Sequence, residues 1–246
     1  MSSKKKIKLA DALVGRGLCQ TDKLANAMIL AKQVKVDDAF VTQPTAQIGI
    51  QSKIEVVGVK QYVSRGGYKL AHALEEFGID VADKTCLDIG SSTGGFSDCL
   101  LQAGAGRIAC VDVNYGQLDW KIRTDERTDV FERTNIKNVS CSDLRGPFDI
   151  VVIDVSFIGL ATLVNKLSEF CKSKGRLIAL VKPQFEARSA EVIDGRVDDE
   201  HVRQRTLEEV EDALQKYGFE IENSCQSPIK GLKKQNIEYL ITAIKI

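Results

Sequence analysis

The sequence lacks several patterns that would assign it directly to a common class of protein. None of its seven cysteines stands in a CxxC or other metal-ligand spacing, so no metal site is expected. No run of about 18 uncharged apolar residues is present, which argues against a membrane-spanning helix. The basic amino terminus precedes no apolar signal-peptide core, and the odd cysteine count fits free thiols. We therefore expect a cytoplasmic protein.

Two nucleotide-binding patterns are also missing from the most glycine-rich segment, Gly90-Ser91-Ser92-Thr93-Gly94-Gly95-Phe96. The dinucleotide fingerprint GxGxxG is absent because the glycines fall at 90, 94 and 95. A phosphate loop of the GxxxxGK[ST] type is absent because Phe96 occupies the lysine position. Neither a dinucleotide nor a nucleoside triphosphate is therefore the expected ligand.

Charge is present in equal amounts of both signs but is unevenly distributed. Residues 1–60 contain ten Lys and Arg and five Asp and Glu, so this segment carries +5 and the remainder −5. A basic segment joined to an acidic body suggests that the segment meets a polyanion. A solvated charged face or a disordered tail is the alternative, and for Lys4 to Lys6 alone it is the preferred interpretation.

The chain divides into two blocks joined by a short linker, residues 60–63. The first block, residues 1–59, combines two helical patterns with short strand-like pieces, and Thr21 is the predicted N-cap of the second helix. The second block, residues 64–246, alternates strands with helices, which predicts an α/β fold with a parallel sheet covered on both faces. Its last two strands lack an intervening helix, so we expect them to form an antiparallel hairpin.

The glycine-rich segment follows the first strand of the second block, where open α/β sheets bind ligands. Asp88 in that strand would repel a pyrophosphate but suits a cationic ligand, and S-adenosylmethionine is such a ligand. Asp112 ends the second strand, where a carboxylate can accept both ribose hydroxyls. A glycine-rich turn with solvated acids is the alternative.

Four charged residues stand at the ends of elements in the second block. Asp154 and Lys182 end two successive apolar strands, where a lone charge is costly unless it is paired or used. Lys69 lies in the first helical segment, and Glu238 opens the final strand. A lysine beside a second lysine could remove the proton from a hydroxyl nucleophile. It could instead stay charged and stabilise an alkoxide, or the residues could form structural ion pairs only.

Seven segments together resemble the TlyA family, whose members are often labelled hemolysins: SRGGYKL, LDIGSSTGGFSDCLLQAGA, VDVNYGQLDWKIR, ERTN, IDVSFIGL, LVKPQFE, and SPIKG with NIEYL. The segments occur in the family's order, and the resemblance extends over almost the whole chain. The resemblance implies an FtsJ-like catalytic domain, with a Rossmann-like class I methyltransferase sheet and an antiparallel terminal strand. It implies methyl transfer from S-adenosylmethionine to a ribose 2′-hydroxyl, that of a cytidine, in ribosomal RNA. The first block is similar to the alpha-L RNA-binding module, a small α+β domain.

The resemblance also implies site residues. A catalytic tetrad would consist of Lys69, Asp154, Lys182 and Glu238. The cofactor contacts would be Asp88, Gly90, Ser91, Ser92, Thr93, Gly94, Gly95, Phe96, Asp112 and Asn135. We expect RNA phosphates to contact basic residues of the first block and the junction: Arg16, Lys23, Lys32, Lys35 and Arg65. The partner would be ribosomal RNA or a ribosomal subunit, and a monomer is the default expectation.

Two other functions compete with an RNA methyltransferase. One is a membrane-active, hemolysin-like protein, against which the missing apolar segments count. The other is a non-catalytic RNA-binding ribosome factor that has kept the fold. Saturable binding of S-adenosylmethionine would separate the enzyme from the non-catalytic factor.

Overall fold

The computed structural model describes residues 6–19, 21–58 and 61–246, and the chain forms two compact units, Met1–Gln61 and Tyr62–Ile246. The boundary therefore falls inside the predicted linker, residues 60–63. Lys60 lies outside the described residues. Tyr62 and Val63 belong to the larger unit, because the Tyr62 ring is buried in its core and the Val63 amide donates to Asp98 at 2.9 Å.

The smaller unit packs two helices and short strands around one apolar core. Its elements are β1 (Lys6–Lys8), α1 (Leu9–Gly15), α2 (Asp22–Leu30), β2 (Val34–Val36), β3 (Ala39–Phe40), β4 (Gln47–Gly49) and β5 (Ile54–Val56). The Thr21 hydroxyl accepts a hydrogen bond from the Leu24 amide at 3.2 Å, which confirms the predicted N-cap of α2. The pattern predicts Ile7 within the first helix, but Ile7 lies in β1 and pairs with Ile48 of β4, a strand that the sequence did not indicate.

The larger unit alternates strands and helices, as predicted. Its elements are α3 (Arg65–Glu76), β6 (Thr85–Ile89), α4 (Gly95–Gln102), β7 (Arg107–Val111), α5 (Trp120–Arg123), β8 (Thr128–Phe131), β9 (Phe148–Ile153), α6 (Val164–Phe170), β10 (Cys171–Val181), α7 (Pro183–Glu186), α8 (Glu200–Lys216), β11 (Phe219–Gln226) and β12 (Tyr239–Lys245).

These strands form one seven-stranded sheet in the order β11-β12-β10-β9-β6-β7-β8. The pairs β10–β9, β9–β6, β6–β7 and β7–β8 are parallel, and β12 runs antiparallel to both of its neighbours, β10 and β11. This confirms the predicted Rossmann-like sheet with an antiparallel terminal strand. From β6 the chain builds the sheet outward through β7 and β8, then returns to place β9 on the other side of β6. Ligands bind at such a reversal of strand order, at the carboxyl ends of the strands.

Successive residues of the central strands face opposite sides of the sheet, and each side has its own core. In β10, Leu177 and Ala179 pack in the core beneath α6 and α8, whereas Ile178 and Leu180 pack in the core beneath α3 and α4. The same alternation runs through β9 and β12, as a period of two requires. The face on which a strand residue lies can therefore be counted along the chain.

Within the described residues, the helices are too short or too polar to traverse a lipid bilayer. That part of the chain also contains no cluster of three His, Cys, Asp or Glu residues arranged to bind a metal ion.

Candidate active site

An open cavity of about 110 Å³ lies at the carboxyl end of β6, beside the point where the strand order reverses. The turn between β6 and α4 supplies most of its wall, and Asp154 contributes a carboxylate from the end of β9. Of the predicted cofactor residues, the cavity is lined by Gly90, Ser91, Ser92, Thr93, Gly95 and Phe96. No Lys or Arg is among the described residues that line it, and the Asp154 carboxylate supplies the charge at its wall.

The first glycine of this turn is required by both its conformation and its surroundings. Gly90 has φ +81°, in the left-handed region that favours glycine, and a Cβ at this position would lie 2.4 Å from the backbone oxygen of Asp154. The ends of β6 and β9 therefore approach closely at Gly90. That approach brings Asp154 to the cavity wall.

Asp88, a predicted cofactor contact, is buried in the core behind the cavity wall. It is fully buried beneath α4 and accepts a hydrogen bond from the Ser97 hydroxyl at 2.5 Å, while its Oδ1 has no partner. Burial raises the pKa of Asp88 to about 7, against the opposing effect of the Ser97 hydrogen bond. Asp88 does not line the cavity, so its position suits support of the turn rather than direct contact with a ligand.

The other predicted cofactor residues also serve local structure. Asp112 accepts hydrogen bonds from the amides of Ser92 and Asn114, each at 2.7 Å, and thereby ties the end of β7 to the turn. Each of its oxygens keeps a second lone pair for a ligand hydroxyl. Asn135 is exposed and caps a short 3-10 helix by accepting from the Lys137 amide at 3.0 Å. Gly94, the N-cap of α4, lies outside the cavity wall.

Counting along the strands places three of the four predicted catalytic residues on one face. Asp154 lies two residues beyond Val152, and Lys182 lies two beyond Leu180. Glu238 lies two before Leu240, and all three reference residues pack in the core beneath α3 and α4. Because β12 pairs Tyr239 with Val181, Glu238 and Lys182 leave the sheet at neighbouring positions. Helix α3 covers this face and carries Lys69.

The four side chains form two ion pairs. Lys69 Nζ lies 2.5 Å from Glu238 Oε2, and their side chains are only 9% and 4% exposed. Lys182 Nζ lies 2.5 Å from Asp154 Oδ1, and these side chains are 10% and 24% exposed. Removing paired charges from water costs about as much as their attraction returns, so such pairs add little stability. Two of them at a ligand-binding edge point to a chemical role.

Lys182 is held by three acceptors. Besides Asp154, its amine donates to the Val155 carbonyl at 2.8 Å and to the Ser156 hydroxyl at 3.0 Å. Three acceptors match the three N–H donors of an ammonium group. The amine is therefore oriented from the loop that follows β9, and Asp154 links it to the cavity.

Some residues of the site were not picked out from the sequence. Ser64 and Gly66 line the cavity from the start of α3, although only the neighbouring Arg65 was proposed as functional. Phe157 is 88% exposed with φ +68°, and its ring lies 5.4 Å from that of Phe185, centroid to centroid. Phe157 stands three residues after Asp154 in the sequence, but its exposure could not be read from the sequence.

The predicted RNA contacts divide into two groups. Arg16 donates to the carbonyls of Ser52 and Ile50, both at 2.7 Å, and Arg65 donates to the Lys230 carbonyl at 2.5 Å. These two guanidinium groups therefore hold loops. Lys23 and Lys32 are exposed, and the Lys35 amine lies 5.0 Å from the centre of the Phe40 ring.

Comparison with known proteins identifies the family. The FtsJ-like methyltransferase model matches residues 62–245, which is the whole catalytic unit apart from its final residue. The chain belongs to the FtsJ-like methyltransferase family. Its fold and family imply the use of S-adenosylmethionine, and the described residues of the cavity wall fit this ligand because they bring no unpaired positive charge.

Individual relatives cover both units of this FtsJ-like methyltransferase. It is 38% identical to the 16S/23S rRNA (cytidine-2′-O)-methyltransferase TlyA of Mycobacterium tuberculosis over 93% of this chain and 86% of the relative. It is 37% identical to Hemolysin A of Brachyspira hyodysenteriae over 95% and 98% of the two chains. A solved structure from Streptococcus thermophilus, described as a hemolysin, is 35% identical with a TM-score of 0.74 over 99% and 90%. These relatives confirm the resemblance to the TlyA family.

Proposed function

We propose that the protein transfers a methyl group from S-adenosylmethionine to the 2′-hydroxyl of a cytidine ribose in ribosomal RNA. One observation carries the proposal: Asp154 lines the cavity at the glycine turn and also pairs with Lys182 Nζ at 2.5 Å. A methyl donor in the cavity would therefore stand beside an amine able to meet an attacking hydroxyl. The TlyA relative is described as acting on cytidine 2′-hydroxyls of 16S and 23S rRNA.

The cofactor would be held by the turn between β6 and α4. Ser91 to Thr93 would offer polar groups to it, and Asp112 would accept its ribose hydroxyls. S-adenosylmethionine supplies an electrophilic methyl group when it is bound. Asp154 carries the charge at the cavity wall and is paired with Lys182, so the wall offers no free positive charge to a pyrophosphate.

The two ion pairs would perform separate tasks. Asp154, Val155 and Ser156 orient Lys182, whose amine either accepts the proton of the 2′-hydroxyl or stabilises the negative charge that develops on its oxygen. The Lys69–Glu238 pair keeps a second amine on the same face without leaving an unpaired charge.

The smaller unit would bind the RNA backbone. Lys23, Lys32 and Lys35 project from a segment of net charge +5, which suits a polyanion. Arg16 and Arg65 would act less directly, since both already donate to backbone carbonyls. A ribosomal partner would place the enzyme in the cytoplasm.

The experiment that tests this function is incubation of the purified protein with methyl-labelled S-adenosylmethionine and separated ribosomal subunits. We expect saturable donor binding and label in the RNA of at least one subunit. Donor binding without any label in RNA would contradict the substrate. A folded protein that does not bind the donor would contradict the enzyme and leave the non-catalytic factor.

A further inference from the structure

Glu186 joins the two loops that carry the Lys182–Asp154 pair. It ends α7, the helical turn that starts at Pro183 directly after Lys182. Its carboxylate accepts a hydrogen bond from the Leu160 amide at 2.5 Å and a longer one from the Ala161 amide at 3.4 Å. Those amides begin a 3-10 helix, Leu160–Thr162, which follows the loop that starts at Asp154.

The surroundings of this carboxylate leave no space for a larger neighbour. A Cβ at Gly159 would lie 2.9 Å from Glu186 Oε2 and 3.1 Å from the Phe185 carbonyl oxygen. A side chain at 159 would therefore press on the Glu186 carboxylate and on the turn that carries it. Burial raises the pKa of Glu186, against the effect of the two amide donors. No Lys or Arg among the described residues forms an ion pair with it, so hydrogen bonds from the two amides offset the cost of its burial.

The two loops contact each other at three points along their length. Lys182 Nζ donates to the Val155 carbonyl at one end, the rings of Phe157 and Phe185 meet in the middle, and Glu186 binds the Leu160 amide at the other end. At the end that is remote from the ion pair, the Glu186 carboxylate joins the two loops by a hydrogen bond. The span from residue 154 to residue 160 is consequently fixed against the span from 182 to 186.

We propose that Glu186 is a positioning residue for catalysis, which latches the loop after β9 to the turn after β10 and so fixes Lys182 against Asp154. The inference rests on the proposed function, because it assigns the reacting amine to Lys182. Misplacement of a reacting group by about 1 Å can cost 100-fold in rate. Glu186 touches neither the cavity nor the Lys182 amine, so its effect passes through the loops.

The first test compares Glu186→Ala, Glu186→Gln and Glu191→Ala in the methyl-transfer assay. Glu191 is a matched control because its carboxylate also caps a short helix, by accepting from the Arg188 amide at 2.9 Å. We expect Glu186→Ala to lower kcat by about 10- to 100-fold, with the KM for S-adenosylmethionine and the affinity for RNA nearly unchanged. Glu186→Gln keeps one amide acceptor and should restore most of kcat, and Glu191→Ala should resemble wild type.

Three results would overturn the proposal: an unchanged kcat in Glu186→Ala, an equal loss in Glu191→Ala, or a parallel loss of donor binding, which would indicate general unfolding of the site. A second measurement does not depend on activity. Hydrogen exchange of the amides from 155 to 161 should accelerate in Glu186→Ala and stay slow in Glu186→Gln, with α8 unchanged. Unaltered exchange in this segment would reject the positioning role of Glu186, whether or not the wild-type protein methylates ribosomal RNA. A wild-type protein that leaves ribosomal RNA unmethylated, with exchange altered as expected, would count against the proposed function only.

Discussion

At the scale of single residues, the site depends on where buried charge is placed. Lys69 and Glu238 are almost completely enclosed, and Lys182 with Asp154 nearly so. Replacing one partner of a buried pair leaves an uncompensated charge, which typically costs 3–5 kcal/mol. Activity and stability must therefore be measured together whenever one of these four residues is changed.

The substitution Lys182→Ala should abolish methyl transfer, with a loss of at least about 10²-fold, while donor binding stays nearly intact. Donor binding should be retained because Lys182 does not line the cavity and is joined to it through Asp154. The matched control is Lys172→Ala. Lys172 lies near the opposite end of β10 and also pairs with an aspartate, Asp149, at 2.8 Å. Wild-type turnover by Lys182→Ala, measured with labelled donor, would remove Lys182 from the mechanism.

Asp88 should make the protein less stable as the pH rises. Its folded-state pKa of about 7 exceeds the ordinary value near 4. The folded state therefore holds the proton more tightly, and stability falls between about pH 4 and pH 7. Asp88→Asn keeps an acceptor for Ser97 without the titration. We expect it to be more stable than wild type at pH 8, by up to about 4 kcal/mol, in urea unfolding without donor.

A control of opposite sign is available in Asp149. Burial tends to raise its pKa, but hydrogen bonds from Lys172 and Thr85 outweigh this effect and lower the pKa to about 2. Asp149→Asn should therefore lose stability at neutral pH, and the loss should shrink as the pH falls from about 4 to about 2. If the free energies of unfolding of wild type and Asp88→Asn differ by the same amount at every pH from 4 to 8, the assignment for Asp88 is contradicted.

At the scale of elements, the central strands of the larger unit could be predicted from local runs of apolar residues. Such a run predicts β6 at Thr85–Ile89, as the structure has it. The run that predicts β10 starts at Gly175, whereas the strand starts at Cys171 and includes the polar Lys172 and Lys174. Contacts distant in sequence determined what was missed. Strand β4 becomes a strand only because β1 pairs with it. The turn α7 is too short for any periodicity, since Pro183 starts it and four residues complete it.

The four candidate catalytic residues could be picked out from motifs, but only one of their two pairings could be predicted. The ends of neighbouring strands suggested that Asp154 and Lys182 lie close together, and the structure places their charged atoms 2.5 Å apart. The partner of Lys69 depends on the antiparallel β12, because its register with β10 places Glu238 next to Lys182 and beneath α3. The depth of Asp88 was also missed, because a strand pattern does not tell which acids a following helix will cover.

Helix α2 gives a prediction about local stability. The Thr21 hydroxyl satisfies the Leu24 amide at the start of the helix, and loss of such a cap costs about 1 kcal/mol. Thr21→Ala should accelerate hydrogen exchange in α2 by about fivefold, while exposed Thr42, replaced by Ala, should have no effect. Equal exchange rates in the two variants would show that the cap does not stabilise α2.

At the scale of the whole molecule, the two units differ in net charge, since residues 1–60 carry +5 and the remainder −5. The basic unit should bind the RNA backbone. We expect the triple variant Lys23→Ala, Lys32→Ala, Lys35→Ala to weaken binding to ribosomal RNA. It should also reduce the slope of log Kd against log salt concentration by the equivalent of up to about three phosphate contacts. The affinity for S-adenosylmethionine should stay unchanged. The control removes the same charge from the larger unit, at the exposed residues Lys84, Lys174 and Lys216. Equal losses in both variants, measured across a salt series, would show that the smaller unit has no special role.

The central claim is that the two ion pairs beside the glycine turn direct methyl transfer to a ribose hydroxyl. The most direct measurement is the identity of the methylated nucleoside after ribosomal RNA, treated with protein and labelled S-adenosylmethionine, is digested and analysed by mass spectrometry. The account predicts 2′-O-methylcytidine as the labelled product with the wild-type protein and no labelled product with Lys182→Ala. Label on a base, or a labelled ribose that persists in Lys182→Ala, would contradict it.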